Sequence, residues 1–208
     1  MSKLFKPLEA TCKILVEQFD QIDEDRKVKL SSLGKYISKV LLANSVPQLI
    51  VICTHNSRRS HIGQLWLSAA AEYYGLSEVA TYSGGTEGTA FYKSGVRALQ
   101  DLGFQLMCIQ EGDNPLYAIQ WKPYMQPYQA FSKAFDQAPN PTEDFAAIMV
   151  CTSADEACPI VPGAAFRVAL PFNDPKAYDG TDLEAEKYEE RAMDIGREML
   201  YVMSIAAQ

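Results

Sequence analysis

The chain has 208 residues, 48% hydrophobic and 22% charged, enough for one sizeable core and short of the usual length for two. A net charge of −7 argues against a general nucleic-acid binder, because most of such a surface repels a phosphate backbone. A small anion is not excluded, since it answers to local donors rather than to total charge.

Met1–Lys13 is charged and broken by Pro7, unlike an export signal. No segment approaches the roughly 20 apolar residues that span a bilayer, so the reading is a soluble, cytoplasmic protein. Cys12, Cys53, Cys108, Cys151 and Cys158 are odd in number and widely spaced, and are expected to be reduced thiols.

Residues 1–46 read as a helical N-terminal extension. Leu8, Ile14, Leu15, Phe19 and Ile22 fall near helical spacing, as do Leu30, Leu33, Ile37, Val40 and Leu41. The charged stretch Asp23–Lys29 reads as the turn between them, with Ser31 or Ser32 capping the second helix. Such a hairpin either packs on the main domain or serves as a partner-binding arm.

Residues 47–208 alternate short apolar runs with helical patterns. Gln48–Ile52 is a β-branched run expected of a strand buried on both faces. A helix follows from Ser60 to a C-cap at Gly75, then a strand at Val79–Ser83 and a turn at Gly84-Gly85-Thr86. A second helix spans Ala90–Leu102 and stops at Gly103. Phe145–Val150 and Phe166–Leu170 are further strands, and a last helix covers about Leu183–Met203. This order predicts an α/β fold: a short parallel sheet of about four strands with helices on both faces. An insertion at about 109–141 fits least well. Its prolines and its aromatics (Tyr117, Trp121, Tyr124, Tyr128, Phe131) suggest a long, partly irregular excursion able to meet a large substrate or partner.

Ligands of open α/β sheets bind at the carboxyl ends of the strands. There lies Cys53-Thr54-His55-Asn56-Ser57-Arg58-Arg59-Ser60, between the first strand and the first long helix. A helix N-terminus offers unpaired N–H groups and partial positive charge, which hold anions and favour a thiolate. Thr54, His55, Asn56, Ser57 and Arg58 would line such a cradle. Arg59 would close on two oxygens with its planar fork, and Ser60 would donate to the sulfur. Nucleophile, cradle and clamp are what displacement at phosphorus or arsenic requires.

With Asn56 between Cys53 and Arg59-Ser60, the loop resembles the low-molecular-weight protein tyrosine phosphatase superfamily, which includes thioredoxin-coupled arsenate reductases. Tyr82-Ser83-Gly84-Gly85-Thr86-Glu87, and Ala98-Leu99 with Gly103, extend the resemblance, which runs from about Leu49 to the C-terminus apart from the insertion. It implies that Cys53 is the nucleophile, that Arg59 binds the oxyanion, that Ser60 supports the thiolate and that Asn56 shapes the loop. His55 stands where the family usually has glycine, and Arg58 where many relatives carry a second cysteine, adding charge at the mouth. His55 and His61 would tune the thiolate or stand by as solvated residues. Asp174-Pro175, by itself a common turn, matches the family's Asp-Pro and implies that Asp174 is the general acid. Asp179, an exposed-loop acid, is the weaker alternative. Gln64 replaces a glutamate expected in cation-binding arsenate reductases, and neither a metal nor another cofactor is expected.

Cys151 and Cys158, read from the residues alone, are two apolar positions, a redox pair, or less readily zinc ligands. Their spacing, with Ala154-Asp155 and Cys158-Pro159 within it, resembles the arsenate reductases. That resemblance implies a Cys53/Cys151/Cys158 relay ending on thioredoxin, and Cys12 and Cys108 have no place in it. Three functions stay open: arsenate reduction, hydrolysis of phosphotyrosine or another phosphomonoester, and phosphate or phosphoprotein binding without turnover.

Overall fold

The computed structural model describes residues 3–208; Met1 and Ser2, at the head of the expected N-terminal extension, lie outside it. Helix α1 (Lys6–Val16), a 3-10 turn at Phe19–Gln21 and helix α2 (Glu24–Leu42) precede strand β1 (Gln48–Cys53). Then come α3 (Arg59–Tyr73), β2 (Ala80–Gly85) and α4 (Lys93–Asp101). They are followed by β3 (Gln105–Gln110), β4 (Leu116–Gln120), β5 (Tyr128–Ala130) and β6 (Phe145–Met149). Helix α5 (Thr152–Ala157), β7 (Ala164–Ala169), a 3-10 turn at Pro175–Tyr178 and α6 (Glu184–Ala206) complete the chain.

Strands β2, β1, β6 and β7 form, in that order, one parallel sheet flanked by helices, the expected α/β architecture. Leu49 to Ile52 in β1 and Ala146 to Met149 in β6 are fully buried, because these are the two inner strands. Helix α3 lies over β1 and β2 and packs on α6; α1 and α2 pack on α6 as well, and α2 also reaches β7. Leu8, Leu15, Leu30, Leu33 and Ile37 of the first two helices share one buried cluster with β1, α3 and α6. After α3 and α4 the chain passes through Gly75 (φ 78°) and Gly103 (φ 104°), left-handed positions that stop a helix as the sequence predicts.

Four local expectations are corrected. Asp23–Lys29 is not a turn: Asp23 sits at the N-cap position of α2, and Glu24 and Asp25 fill its first turn, where acids meet the positive end of the helix dipole. Ser31 and Ser32 therefore lie inside that helix, and Ser32 Oγ donates back to the Lys29 carbonyl at 2.6 Å. Gly84 and Gly85 extend β2 rather than turning. The insertion is more regular than its composition suggests, since β3, β4 and β5 pair as a small antiparallel sheet. No helix among the described residues is long and apolar enough to cross a membrane.

Candidate active site

The carboxyl ends of the four parallel strands meet at one edge and bring together the loop after β1, Gly85, Cys151 and the segment that carries Asp174. Cys53, 4% exposed, ends β1 with its Sγ 3.0 Å from Ser60 Oγ on the first turn of α3. Asn56 Nδ2 donates to the same Ser60 oxygen at 2.8 Å. With that lone pair taken, the hydroxyl proton of Ser60 is free to point at the sulfur. Asn56 itself has φ 44°, a left-handed position that asparagine tolerates better than most residues.

The loop's carbonyls are tied outward. Those of Cys53 and Thr54 accept from the N–H groups of Thr86 and Glu87, that of His55 from Thr89 Oγ1 and Ser132 Oγ, and that of Ser57 from the Tyr92 N–H. Conversely, no group among the described residues accepts from the N–H groups of Thr54, His55, Asn56, Ser57 or Arg58. Five consecutive unpaired donors ahead of a helix N-terminus make a cradle for an anion. Gly85 is what lets β2 come this close: a Cβ there would meet the Glu87 carbonyl at 2.2 Å, that of Thr54 at 2.6 Å and Asn56 N at 2.7 Å.

Arg59 and Asp174 are brought into direct contact with each other. Arg59 Nη2 donates to Asp174 Oδ2 at 2.5 Å, and Nη1 donates to the Phe172 carbonyl at 2.9 Å. The second Asp174 oxygen accepts from the Lys176 N–H at 3.0 Å and caps the 3-10 turn. Arg59 Nε is buried without a partner among the described residues, a donor to spare for an oxyanion.

The expectation that Arg58 adds charge at the mouth is corrected. Its Nη2 donates to Asp179 Oδ2 at 2.6 Å and its Nε to Tyr188 Oη at 2.5 Å, while the guanidinium stacks 4.2 Å from the Tyr92 ring centroid. Asp179 is thereby committed to Arg58 and to the Tyr188 hydroxyl, and is not an exposed-loop acid. His55 is half-exposed and pairs with Glu87 at 3.1 Å. His61 is fully buried and stacked on Phe91 with ring centroids 4.1 Å apart. Burial pushes its pKa down to about 3, so it stays neutral. Gln64 is also buried, its amide donating to Thr81.

The two later cysteines bracket α5. Cys151, 2% exposed, is its N-cap, with its Sγ 3.4 Å from Thr54 Oγ1; Cys158 follows the helix and is partly exposed. Arg167 of β7 holds this helix end by donating to the Cys158 carbonyl and to Asp155. The other two thiols stand apart: Cys12 is buried in α1, which pushes its pKa up to about 12, and Cys108 is exposed on β3. Among the described residues no cluster of three or more His, Cys, Asp or Glu side chains is arranged to hold a metal.

A phosphotyrosine phosphatase of low molecular weight from Vibrio cholerae O395 shares this arrangement of strands and helices. Its likeness has a TM-score of 0.50 at 16% identity, over 76% of this chain and 95% of the other. The fold is that of the low-molecular-weight phosphotyrosine phosphatases. Looser likenesses join a low-molecular-weight protein tyrosine phosphatase from T. tengcongensis (TM-score 0.46, 13% identity, 76% of this chain and 98% of the other). Another is to a thioredoxin-dependent arsenate reductase from Corynebacterium glutamicum (TM-score 0.40, 19% identity, 90% and 92%). No family model matches the sequence, and no curated protein does.

On this phosphatase fold the antiparallel insertion contributes parts of the site that the sequence alone did not single out. Ser132 Oγ donates to the His55 carbonyl at 3.1 Å, and the Lys133 N–H donates to Asn56 Oδ1 at 2.9 Å. Nothing local marks either residue: a serine and a lysine after an aromatic in a proline-rich segment look like solvated loop.

Proposed function

We propose that the chain is a cysteine-nucleophile enzyme of tetrahedral oxyanions, and that it reduces arsenate through a relay of three thiols. The observation that carries the choice is the contact of Thr54 Oγ1 with Cys151 Sγ at 3.4 Å, which ties a second buried thiol to the residue beside Cys53. In this reading the loop N–H groups and Arg59 hold arsenate, and Ser60 steadies the Cys53 thiolate. The sulfur attacks arsenic, an S–As bond forms, and one arsenate oxygen leaves as water. Cys151 then attacks the Cys53 sulfur. An S–S bond forms, the S–As bond breaks with its electron pair going to arsenic, and As(V) departs as arsenite, As(III).

Cys158 next attacks Cys151, which frees Cys53 as a thiolate and leaves a Cys151–Cys158 disulfide. A dithiol protein of the thioredoxin kind would reduce it. Along α5 these two cysteines are separated by about 10 Å at 1.5 Å rise per residue, and a disulfide needs Cα atoms within about 7 Å. The helix must therefore open when the second disulfide forms. Six residues are a short helix, and its opening is correspondingly cheap.

A second reading is hydrolysis of a phosphomonoester such as phosphotyrosine, with Cys53 as the phosphorylated group. It is favoured by Asp174, whose carboxyl lies against the anion-binding guanidinium at 2.5 Å, beside the place from which a leaving oxygen would depart. The test uses purified protein with arsenate and a dithiol donor, and separately an aryl phosphate. Cys53→Ser should abolish both activities; Cys151→Ser should abolish arsenite release and spare aryl phosphate cleavage. Full aryl phosphate cleavage by Cys53→Ser would refute the nucleophile.

A further inference from the structure

Lys133 is a buried cation that the chemistry above leaves unused. It is 2% exposed, and its ammonium sits 5.0 Å from the Phe131 ring centroid. The other well-buried cations around the core have carboxylate partners: Arg26 with Glu198, Arg58 with Asp179, Arg59 with Asp174, Lys122 with Glu72. Lys133 has none among the described residues. Removal from water lowers its pKa to about 8, which leaves it mainly charged at neutral pH. A buried charge of this kind is normally paired.

Its main chain belongs to the wall of the anion cradle. The Lys133 N–H holds Asn56 Oδ1 at 2.9 Å, and its carbonyl accepts from the Gly85 N–H at 3.0 Å. Through Asn56 and Ser60 that wall is two side chains from the Cys53 sulfur. The neighbouring base His61 is neutral and disfavoured as a cation by Lys133, so it offers no counter-charge. Of the acids beside the loop, Glu87 is paired with His55 and Asp174 with Arg59. The anion that Lys133 lacks is one the loop itself would bring.

We propose that Lys133 is a specificity-determining residue whose charge makes the loop select doubly charged tetrahedral oxyanions over singly charged ones. The inference rests on the reading that the loop holds an oxyanion. Sulfate and perchlorate separate the two questions, since both are tetrahedral and differ in charge across the neutral pH range. Calorimetric titration of the full chain should give Lys133→Met about a tenfold loss of sulfate affinity, and much less loss for perchlorate, as expected for one charge acting through a poorly screened interior. Lys133→Arg should keep the sulfate preference. An unchanged sulfate-to-perchlorate ratio in Lys133→Met would overturn the proposal. In unaltered protein, 15N NMR of the Lys133 ammonium should show its pKa rising when sulfate is added, and a titration that does not move would overturn it independently. Failure of the unaltered protein to bind either sulfate or phosphate would instead defeat the oxyanion reading, and this inference with it.

Discussion

Arg59 and Asp174 hold one another, with guanidinium Nη2 2.5 Å from carboxylate Oδ2. In the proposed reading of Arg59 as an oxyanion clamp, an entering oxyanion must share or displace the carboxylate that already occupies one face of the guanidinium. Asp174→Ala is expected to tighten binding of inorganic phosphate several-fold, because a competing anion has been removed. The same change should slow aryl phosphate cleavage by roughly 10²-fold if Asp174 is the proton donor. Titration calorimetry and steady-state rates measure the two effects separately. Weaker phosphate binding by the variant would mean that Asp174 positions Arg59 rather than competing with the ligand.

Gly85→Ala tests the close approach of β2 to the loop. An added methyl would meet the Glu87 and Thr54 carbonyls and Asn56 N at 2.2 to 2.7 Å, all of them backbone atoms that cannot swing away. The expected outcome is loss of phosphate binding and of Cys53-dependent activity, with destabilisation of about 1–3 kcal/mol from overpacking. Thermal melts alongside activity assays check it; a variant with normal activity would show that the loop can shift without losing its cradle.

His61 gives the fold a pH dependence whose sign follows from its lowered pKa. Folded, it resists protonation until about pH 3; unfolded, it protonates near its ordinary value of 6.5. Its contribution to stability is thus fully present above pH 6.5 and is lost as the pH falls toward 3, amounting to about 2 kcal/mol by pH 5. His61→Phe keeps an aromatic stack on Phe91 and has no proton to take up. Melting temperatures between pH 7 and pH 5 should fall less for the variant than for the parent. Parallel slopes would remove His61 from the acid response.

What the sequence made legible is what depends on near neighbours. The strand–loop–helix of Gln48–Tyr73 was readable because a β-branched run, a polar loop and a helical period follow one another without interruption. Cys53, Asn56 and Ser60 did converge, since eight consecutive residues around a helix start have little freedom to do otherwise. Long-range pairing was not readable. Arg58 and Arg59 are adjacent and chemically alike, yet one is claimed by Asp179 and Tyr188 and the other by Asp174. Which partner each meets is decided by α6 and by the segment after β7, more than a hundred residues away. Lys133 is illegible for the same reason: the segment after β5 lies against Gly85, Gly88 and Asn56, some 45 to 77 residues earlier, and nothing local announces that contact. The charged run Asp23–Lys29 misled because charge density suggests a turn, whereas Arg26 forks onto Glu198 of α6 at 2.9 Å and the remainder faces water along α2.

In the proposed relay Cys151 attacks the Cys53 sulfur, so that the two thiols become a disulfide as arsenic is reduced, and Cys158→Ser isolates that step. With the resolving thiol removed, one addition of arsenate should release about one arsenite per chain and then stop. Mass spectrometry of the product, digested without reductant, should find a Cys53–Cys151 disulfide and a mass lower by two hydrogens. Arsenite release with both of those cysteines recovered as free thiols would contradict the relay.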